Sequence, residues 1–382
     1  MSAWNILFAL SVAAPFYTYG FYPMILKILP KRNYQKDADY EPTVSLLIAA
    51  YNEEKVIEEK IWNLLQLDYP SNKIEILVAS DGSTDNTVLK AERVGKGLIQ
   101  VLDLPRGGKV AALNAMLSRA NGEIIVFSDA NTMFEKSAVQ KIVQSFKDQR
   151  IGCVSGQLRY KVDKTSGEGA RSESAYWKYE NWVKRQESRL GRLSGANGAI
   201  YAIRREYLND IPAGIINDDF YVSTYILQQG YDVILNTEAI AYEEPNERLE
   251  EQFKRHVRDG AGHYQAMRVF WRMLFPRKGS FVYVSHRVIK WLVPFFMITA
   301  FISNLILGLK NLGWFFLWIF QVAGYIAMLI YWTTAKRHVK IKGFIGKLLS
   351  IVFYFISVNA ALLCGFFKFV GNKQKAVWET SR

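Results

Sequence analysis

Cysteine is nearly absent, with Cys153 and Cys364 the only two in 382 residues. They are far apart and lack metal-ligand spacing, which excludes a disulfide framework and a zinc site. Two phosphate-binding signatures are missing too. No Gly-x-x-x-x-Gly-Lys-Ser/Thr loop occurs, and the first apolar strand pattern is not followed by Gly-x-Gly-x-x-Gly. Neither an ATPase nor a dinucleotide-binding enzyme is signalled. No basic residue precedes the first apolar run and no clear small-residue cleavage site follows it, a pattern that favours an anchor over a cleaved signal peptide.

Charge is scarce at the two ends of the chain and plentiful between them. Ile6 to Leu29 carries no charge before Lys27, with Tyr17, Tyr19 and Tyr22 in its second half. About 20 apolar residues suffice for one bilayer crossing. Three further candidate spans are Val288 to Leu309, Trp314 to Ala335 and Leu348 to Val370. Lys27, Lys31, Arg32 and Lys36 attend the end of the first run, and Lys336, Arg337, His338, Lys340 and Lys342 separate the last two. The positive-inside rule then expects the N-terminus outside, and the middle domain and that loop in the cytoplasm. Parity puts the C-terminal tail outside although Lys368, Lys373, Lys375 and Arg382 are basic. Either the last segment is re-entrant around Asn359 or the tail is an exception. The net charge of +13 gathers beside the apolar runs, where anionic headgroups supply the counter-charge. Membrane lipids, not nucleic acid, are the expected partner, and the expected location is the cell membrane in several passes.

The middle of the chain reads as α/β. Val44 to Ala50 is a short continuous apolar run of the kind that fills a buried parallel strand. The polar turn Tyr51-Asn52-Glu53-Glu54 follows, and then Val56, Ile57, Ile61, Leu64 and Leu65 recur at helical spacing. Ile74 to Ser80 repeats the pattern and ends in Asp81-Gly82-Ser83-Thr84-Asp85; Leu98 to Asp103 and Glu123 to Phe127 are two more strands, the last followed by Ser128-Asp129-Ala130-Asn131. Strands alternating with helices indicate a doubly wound, mainly parallel sheet, whose ligands bind beyond the carboxyl ends of the strands. Glu53, Asp81 and Asp129 fall at those ends and should converge on one crevice. Arg106-Gly107-Gly108-Lys109 could cradle phosphate through backbone donors and a lysine charge, or be a flexible turn before a helix from Val110 to Ala120.

These residues resemble the inverting family 2 glycosyltransferases, in particular the membrane-bound branch of hyaluronan, chitin, poly-N-acetylglucosamine and cellulose synthases. The likeness runs from about Pro42 to Met267. It implies a GT-A fold and a UDP-sugar donor held by Tyr51, Glu53, Asp81 and Lys109, with Asn114 beside them. Asp129-Ala130-Asn131 stands where the family has Asp-x-Asp, and implies a Mg2+ or Mn2+ ion held by Asp129 and Asn131. An amide oxygen at the second position can ligate a hard cation but brings no charge. Asn197 and Gly198 resemble the acceptor-side segment, and Asn217-Asp218-Asp219-Phe220 the element that supplies the base, implied to be Asp219 with its proton affinity raised by Asp218. Gln252-Phe253-Lys254-Arg255-His256 resembles Gln-x-x-Arg-Trp, with Gln252 on the donor, Arg255 on the leaving diphosphate and His256 in place of the tryptophan beneath the acceptor sugar.

The expected organisation is a transmembrane anchor at 1–30, a cytoplasmic GT-A domain at 42–245, an interfacial amphipathic segment at 246–285, about three spans at 286–370 and a basic tail at 371–382. Arg258, His263, Tyr264, Trp271, Arg272, Phe275 and Arg277 give the interfacial segment its mixture of apolar residues and arginines. The expected function is sugar transfer to a growing polysaccharide, with a dimer or partner subunit completing any export channel. Single-sugar transfer to a membrane lipid is the nearest alternative, and a non-catalytic membrane scaffold the alternative of another class.

Overall fold

A computed structural model describes residues 2–35, 37–161, 168–244, 249–336 and 343–373. Its centre is one sheet of eight strands: β1 (Val44–Ala50), β2 (Ile74–Asp81), β3 (Gln100–Leu104), β4 (Ile124–Asp129), β5 (Met133–Phe134), β6 (Ile151–Tyr160), β7 (Tyr201–Arg204) and β8 (Asp232–Glu243). They lie in the order β3-β2-β1-β4-β7-β6-β8-β5. All seven residues of β1 are buried, as its unbroken apolar run requires. Successive side chains point to opposite faces. Leu47 and Ala49 therefore join Phe127, Leu113, Met116 and Phe220 in one core, and Leu46, Ile48 and Ala50 join Ile57, Ile61, Val78 and Val126 in the other. Each such buried aliphatic or aromatic side chain contributes about 1.5–3 kcal/mol.

Register is what brings the polar turns together. β1 runs parallel to β2 and to β4, with Ala50 opposite Ser80 and Ala49 opposite Asp129, so the turns after three strands emerge at one level. The doubly wound expectation holds for that half only. Beyond β4 the sheet is mixed: β7 is antiparallel to both β4 and β6, β6 and β8 are parallel, and β5 is antiparallel to β8. The four-residue β7 is inserted between β4 and β6 from later in the chain, and this reversal carries the loop before it back toward the end of β4.

Among the described residues three helices are long and apolar enough to cross a membrane: Ser280–Gly308, Leu312–Thr333 and Leu348–Val370. The N-terminal run is helical from Ala3 to Ile28 through a π-helical turn at Tyr17–Phe21, but it is not among those three. Its second half is diluted by Thr18, Gly20, Pro23 and several tyrosines. It lies along Ser280–Gly308, where Tyr17 Oη is 2.8 Å from Ser285 Oγ and Thr18 Oγ1 donates to the Ser285 carbonyl at 2.7 Å. The helix Gly343–Val370 is uninterrupted through Asn359, so the re-entrant alternative is not what the chain adopts. The basic residues of 337–342, together with Lys36, Lys375 and Arg382, lie outside the described residues.

The helix Leu249–Val269 crosses Gly343–Val370 where both are glycine. A methyl on Gly365 would meet Ala261 N at 2.7 Å, and one on Gly260 would meet Leu362 Cα at 3.2 Å. Small residues let the two backbones approach, and thereby seat the Gln252–His256 segment against the last apolar helix.

Candidate active site

The donor side is assembled by three turns that bond to one another. After β1, Asn52 takes a positive φ of 52° and its N–H donates to Ser83 Oγ at 3.0 Å; Thr84 N–H donates back to Asn52 Oδ1 at 2.8 Å, and Glu53 N–H to Thr87 Oγ1 at 2.8 Å. Asp81, only 1% exposed, grips the loop after β3. Its Oδ1 accepts the N–H groups of Gly107 and Gly108 at 2.7 and 2.8 Å, and its Oδ2 pairs with the Arg106 guanidinium. That guanidinium lies on the Tyr51 ring, 3.3 Å from its centroid. Gly82 must be glycine here, for a methyl would meet Arg106 N at 2.8 Å and its φ is +65°. Asp81 thus sets the mouth of the helix Lys109–Leu117.

Lys109, the first residue of that helix, reaches across to the other half of the site. Its Nζ is 2.8 Å from Asp129 Oδ1 and 3.3 Å from Asp218 Oδ1. Burial works against its charge, but Asp129 and then Asp218 outweigh burial and hold it protonated well above the usual lysine range.

Asp218 and Asp219 open the helix Asp218–Gln228. Asp219 Oδ1 accepts Phe220 N–H at 2.7 Å, and Oδ2 accepts Gly198 N–H at 2.8 Å. Its proton affinity is raised from 3.8 to about 6, first by burial and then by the like charge of Asp218, against the opposing pull of Lys109. Gly198 keeps a hollow open between two carboxylates, since a methyl there would stand 3.3 Å from Asp219 Oδ2 and 3.5 Å from Asp129 Oδ2. The neighbouring Asn197 spends its side chain on its own loop, accepting Ala199 N–H at 3.1 Å.

Glu243, at the end of β8, escaped the sequence reading. Asn131 Nδ2 donates to Glu243 Oε1 at 2.7 Å, which brings a carboxylate to the turn where the second acid is missing. An acidic pair directly after a strand, Glu243-Glu244, was the available signal. Among the described residues no three His, Cys, Asp or Glu side chains form a closed metal cluster. Asp129, Asn131 and Glu243 offer carboxylate and amide oxygens, the donor class that hard divalent cations take.

Gln252 is buried on the helix Leu249–Val269. His256 stands edge-on to Tyr354 of the last apolar helix, with centroids 6.1 Å apart. Arg255 lies near Asp259, whose carboxyl is held below the usual range by Arg258, His263 and Arg255 despite its burial. The same helix is tied to the start of the Asp218–Gln228 helix, because Asn217, which caps that helix, donates from Nδ2 to the Asp259 carbonyl at 3.1 Å.

The mixed eight-stranded sheet, with Asp81 and Asp129 at its strand ends and Lys109 paired to Asp129, has the architecture of the GT-A glycosyltransferases. Residues 45–211 match the model of glycosyl transferase family 2, and the chain carries that family's domain. It is related to polysaccharide and glycolipid synthases. It is 25% identical over 281 residues to the poly-beta-1,6-N-acetyl-D-glucosamine synthase of Staphylococcus epidermidis, covering 72% of this chain and 68% of that protein. It is 28% identical over 214 residues to the beta-monoglucosyldiacylglycerol synthase of Nostoc sp., covering 54% of this chain but 45% of that one. The mannosyltransferase PcManGT of Pyrobaculum calidifontis, solved with GDP-Man and Mn2+, shares the fold over 96% of this chain and 99% of its own, with a TM-score of 0.71 and 22% identity.

Proposed function

We propose that this glycosyltransferase moves a sugar from a UDP-sugar to a growing polysaccharide at the cytoplasmic membrane face by a single inverting displacement, the observation that carries the reading being the carboxylate of Asp219 held opposite Asp129 at Gly198. Asp219 is held by Gly198 N–H 2.8 Å away and sits across the Gly198 hollow from Asp129. A raised carboxylate is suited to take a hydroxyl proton near neutral pH and hold it while the acceptor oxygen attacks the anomeric carbon. Lys109, kept protonated, places a fixed positive charge where the leaving diphosphate develops its own negative charge, and Arg255 is assigned the same task from the other side. Asp81 is assigned to the donor, and it also fixes Arg106 to Gly108 and so the position of Lys109.

Asp129, Asn131 and Glu243 would hold the Mg2+ or Mn2+ ion, which when bound neutralises the donor's phosphates. With two carboxylates and one amide, part of its coordination falls to those phosphates. Tyr51 and Glu53 are assigned to the nucleotide, Gln252 to the donor, and Asn197, Gly198, Asp218 and His256 to the acceptor side. The N-terminal helix, packed along Ser280–Gly308, is assigned as the anchor at 1–30, with the GT-A domain at 42–245 facing the cytoplasm. A polymer acceptor fits the likeness to the poly-N-acetylglucosamine synthase; a lipid acceptor is supported by His256, a poorer stacking surface than tryptophan, and by the likeness to the glucolipid synthase.

The test is to incubate the detergent-solubilised protein with a panel of nucleoside-diphosphate sugars and Mg2+ or Mn2+, measuring released nucleoside diphosphate and product size beside Asp219→Asn. Turnover of one donor that disappears in the variant supports the reading, and an oligomer ladder or one glycolipid separates the acceptors. Undiminished turnover in Asp219→Asn removes the base.

A further inference from the structure

Below the acceptor-side loop lies a buried network of charge that the transfer reaction does not itself explain. Glu180 and Glu187, from the helix Glu168–Ser188, are 4% and 0% exposed, and His286 and Lys290, from the entry of the apolar helix Ser280–Gly308, are 2% and 8%. Lys290 Nζ is 2.8 Å from Glu180 Oε2, Arg287 Nη1 is 2.9 Å from Glu180 Oε1, and His286 Nδ1 is 2.6 Å from Glu187 Oε1. Tyr22, from the N-terminal helix, donates to the same Glu187 oxygen at 2.7 Å. Lys184 lies buried beside them. Charged side chains in an apolar helix are costly and persist where they have a task.

The network ends on the backbone of one residue. Arg287 donates to the Ser194 carbonyl from Nε at 2.9 Å and again from Nη2, while Ser194 N–H donates to Glu187 Oε2 at 3.2 Å. Ser194 begins the segment that turns at Gly195, φ +89°, and reaches Gly198, whose N–H holds Asp219. Arg287 sits in a π-helical turn, Tyr283–Val288, whose extra residue re-aims the side chains around it.

We infer that Arg287 is a positioning residue, which acts through Ser194 to set the Gly198 N–H against Asp219 and so ties the acceptor side of the site to the first C-terminal apolar helix. The inference rests on the reading of Asp219 as base. The turns that hold Tyr51 and Asp81 are independent of it: they bond to one another after β1, β2 and β3, and Arg287 touches none of them in the bonds above. Disturbing Arg287 should therefore lower kcat and leave the donor KM alone.

Arg287→Lys keeps the charge and can satisfy Glu180 or the Ser194 carbonyl, but not both in the present geometry. We expect kcat, per mole of enzyme able to bind donor nucleotide, to fall about tenfold, as loss of a charge-assisted hydrogen bond allows, with the donor KM within twofold of wild type. Glu180→Gln, which loosens Arg287 without removing it, should fall in the same direction by about threefold and serves if the first variant does not fold. An unchanged kcat, or a fall in kcat matched by an equal rise in donor KM, overturns the inference. Asp219→Asn run beside them separates the two ideas: activity retained there removes the base, whereas a dead Asp219→Asn with an unaltered Arg287→Lys removes only the positioning role.

Discussion

Acidification should inactivate the enzyme well above the range in which an ordinary aspartate protonates, because burial and then Asp218 raise Asp219 to about 6. A general base works deprotonated, so activity is present above that value and lost as pH falls through it. At pH 5 about one molecule in ten keeps an ionised base, where an aspartate at its ordinary value would leave about nine in ten. Asp218→Asn removes the like charge but not the burial, and it frees Lys109, now 3.3 Å from Asp218, to lean on Asp129 and Asp219. Both changes favour the ionised base. The acid limb should then move down by about one unit, which raises activity at pH 5, relative to each protein's own plateau, about fivefold. The assay is kcat/KM for the donor from initial rates of nucleoside diphosphate release between about pH 4.5 and 8 at saturating cation, with each sample returned to neutrality to show that no enzyme was lost. A wild-type limb at or below about 4.5, or an Asp218→Asn limb that stays or moves upward, would refute the assignment.

Two further substitutions probe the neighbouring charges. Asn131→Asp puts a second carboxylate where the amide now donates to Glu243 at 2.7 Å; in the absence of metal the like-charge contact should cost about 1–4 kcal/mol and lower the melting temperature, and Mn2+ should more than restore it while binding about tenfold tighter by electron paramagnetic resonance titration. Unaltered Mn2+ affinity would count against this turn as the cation site. Lys60 is 0% exposed, with its Nζ on Ser128 Oγ at 2.7 Å, on the Thr132 carbonyl and over the Phe134 ring, and burial lowers it to about 7. Its folded value lies below its unfolded one, so the penalty of the buried charge is fully present below pH 7 and relieved as pH rises toward the unfolded value. Relative to Lys60→Met, wild type should gain stability between pH 6 and pH 9 in thermal melts; a constant difference would show that Lys60 is not neutralised in the fold.

How much of this was legible in the sequence depends on range. Unbroken apolar runs ending in polar turns declared β1, β2 and β4, because a strand buried on both faces leaves no room for alternation. The convergence of Asp81 and Asp129 followed from strand polarity. The reversal at β7 did not, since Tyr201–Arg204 is four residues whose direction is set by pairing with β4 and β6, not by any local preference. Asp81 was read from its place at a strand end; its bonds to Arg106, Gly107 and Gly108, 25 to 27 residues away, had no local signal. Lys60 hides in Glu58-Glu59-Lys60, which reads as a solvated face although its spacing from Ile57 and Leu64 puts it on the buried one.

Strand β4 is the seam of the molecule, and its position explains why the contacts made at Asn131 and Ser194 matter more than their chemistry suggests. On one side β4 runs parallel to β1, beyond which β2 ends in Asp81 and β3 leads to Lys109; on the other it runs antiparallel to β7, whose preceding loop delivers Gly198 and, through it, Asp219. Asp129 ends β4 and is therefore adjacent to both halves, paired with Lys109 from the first and facing the Gly198 hollow of the second. Charge lost from Asn131 is restored from β8 through a hydrogen bond, and the loop is braced from the apolar helix through Arg287, so each half of the site is completed by an element the sequence places about a hundred residues away. Activity should accordingly be more sensitive to changes that shift β8 or the helix entry than to polar substitutions of equal size on the exposed turns after β1 and β2.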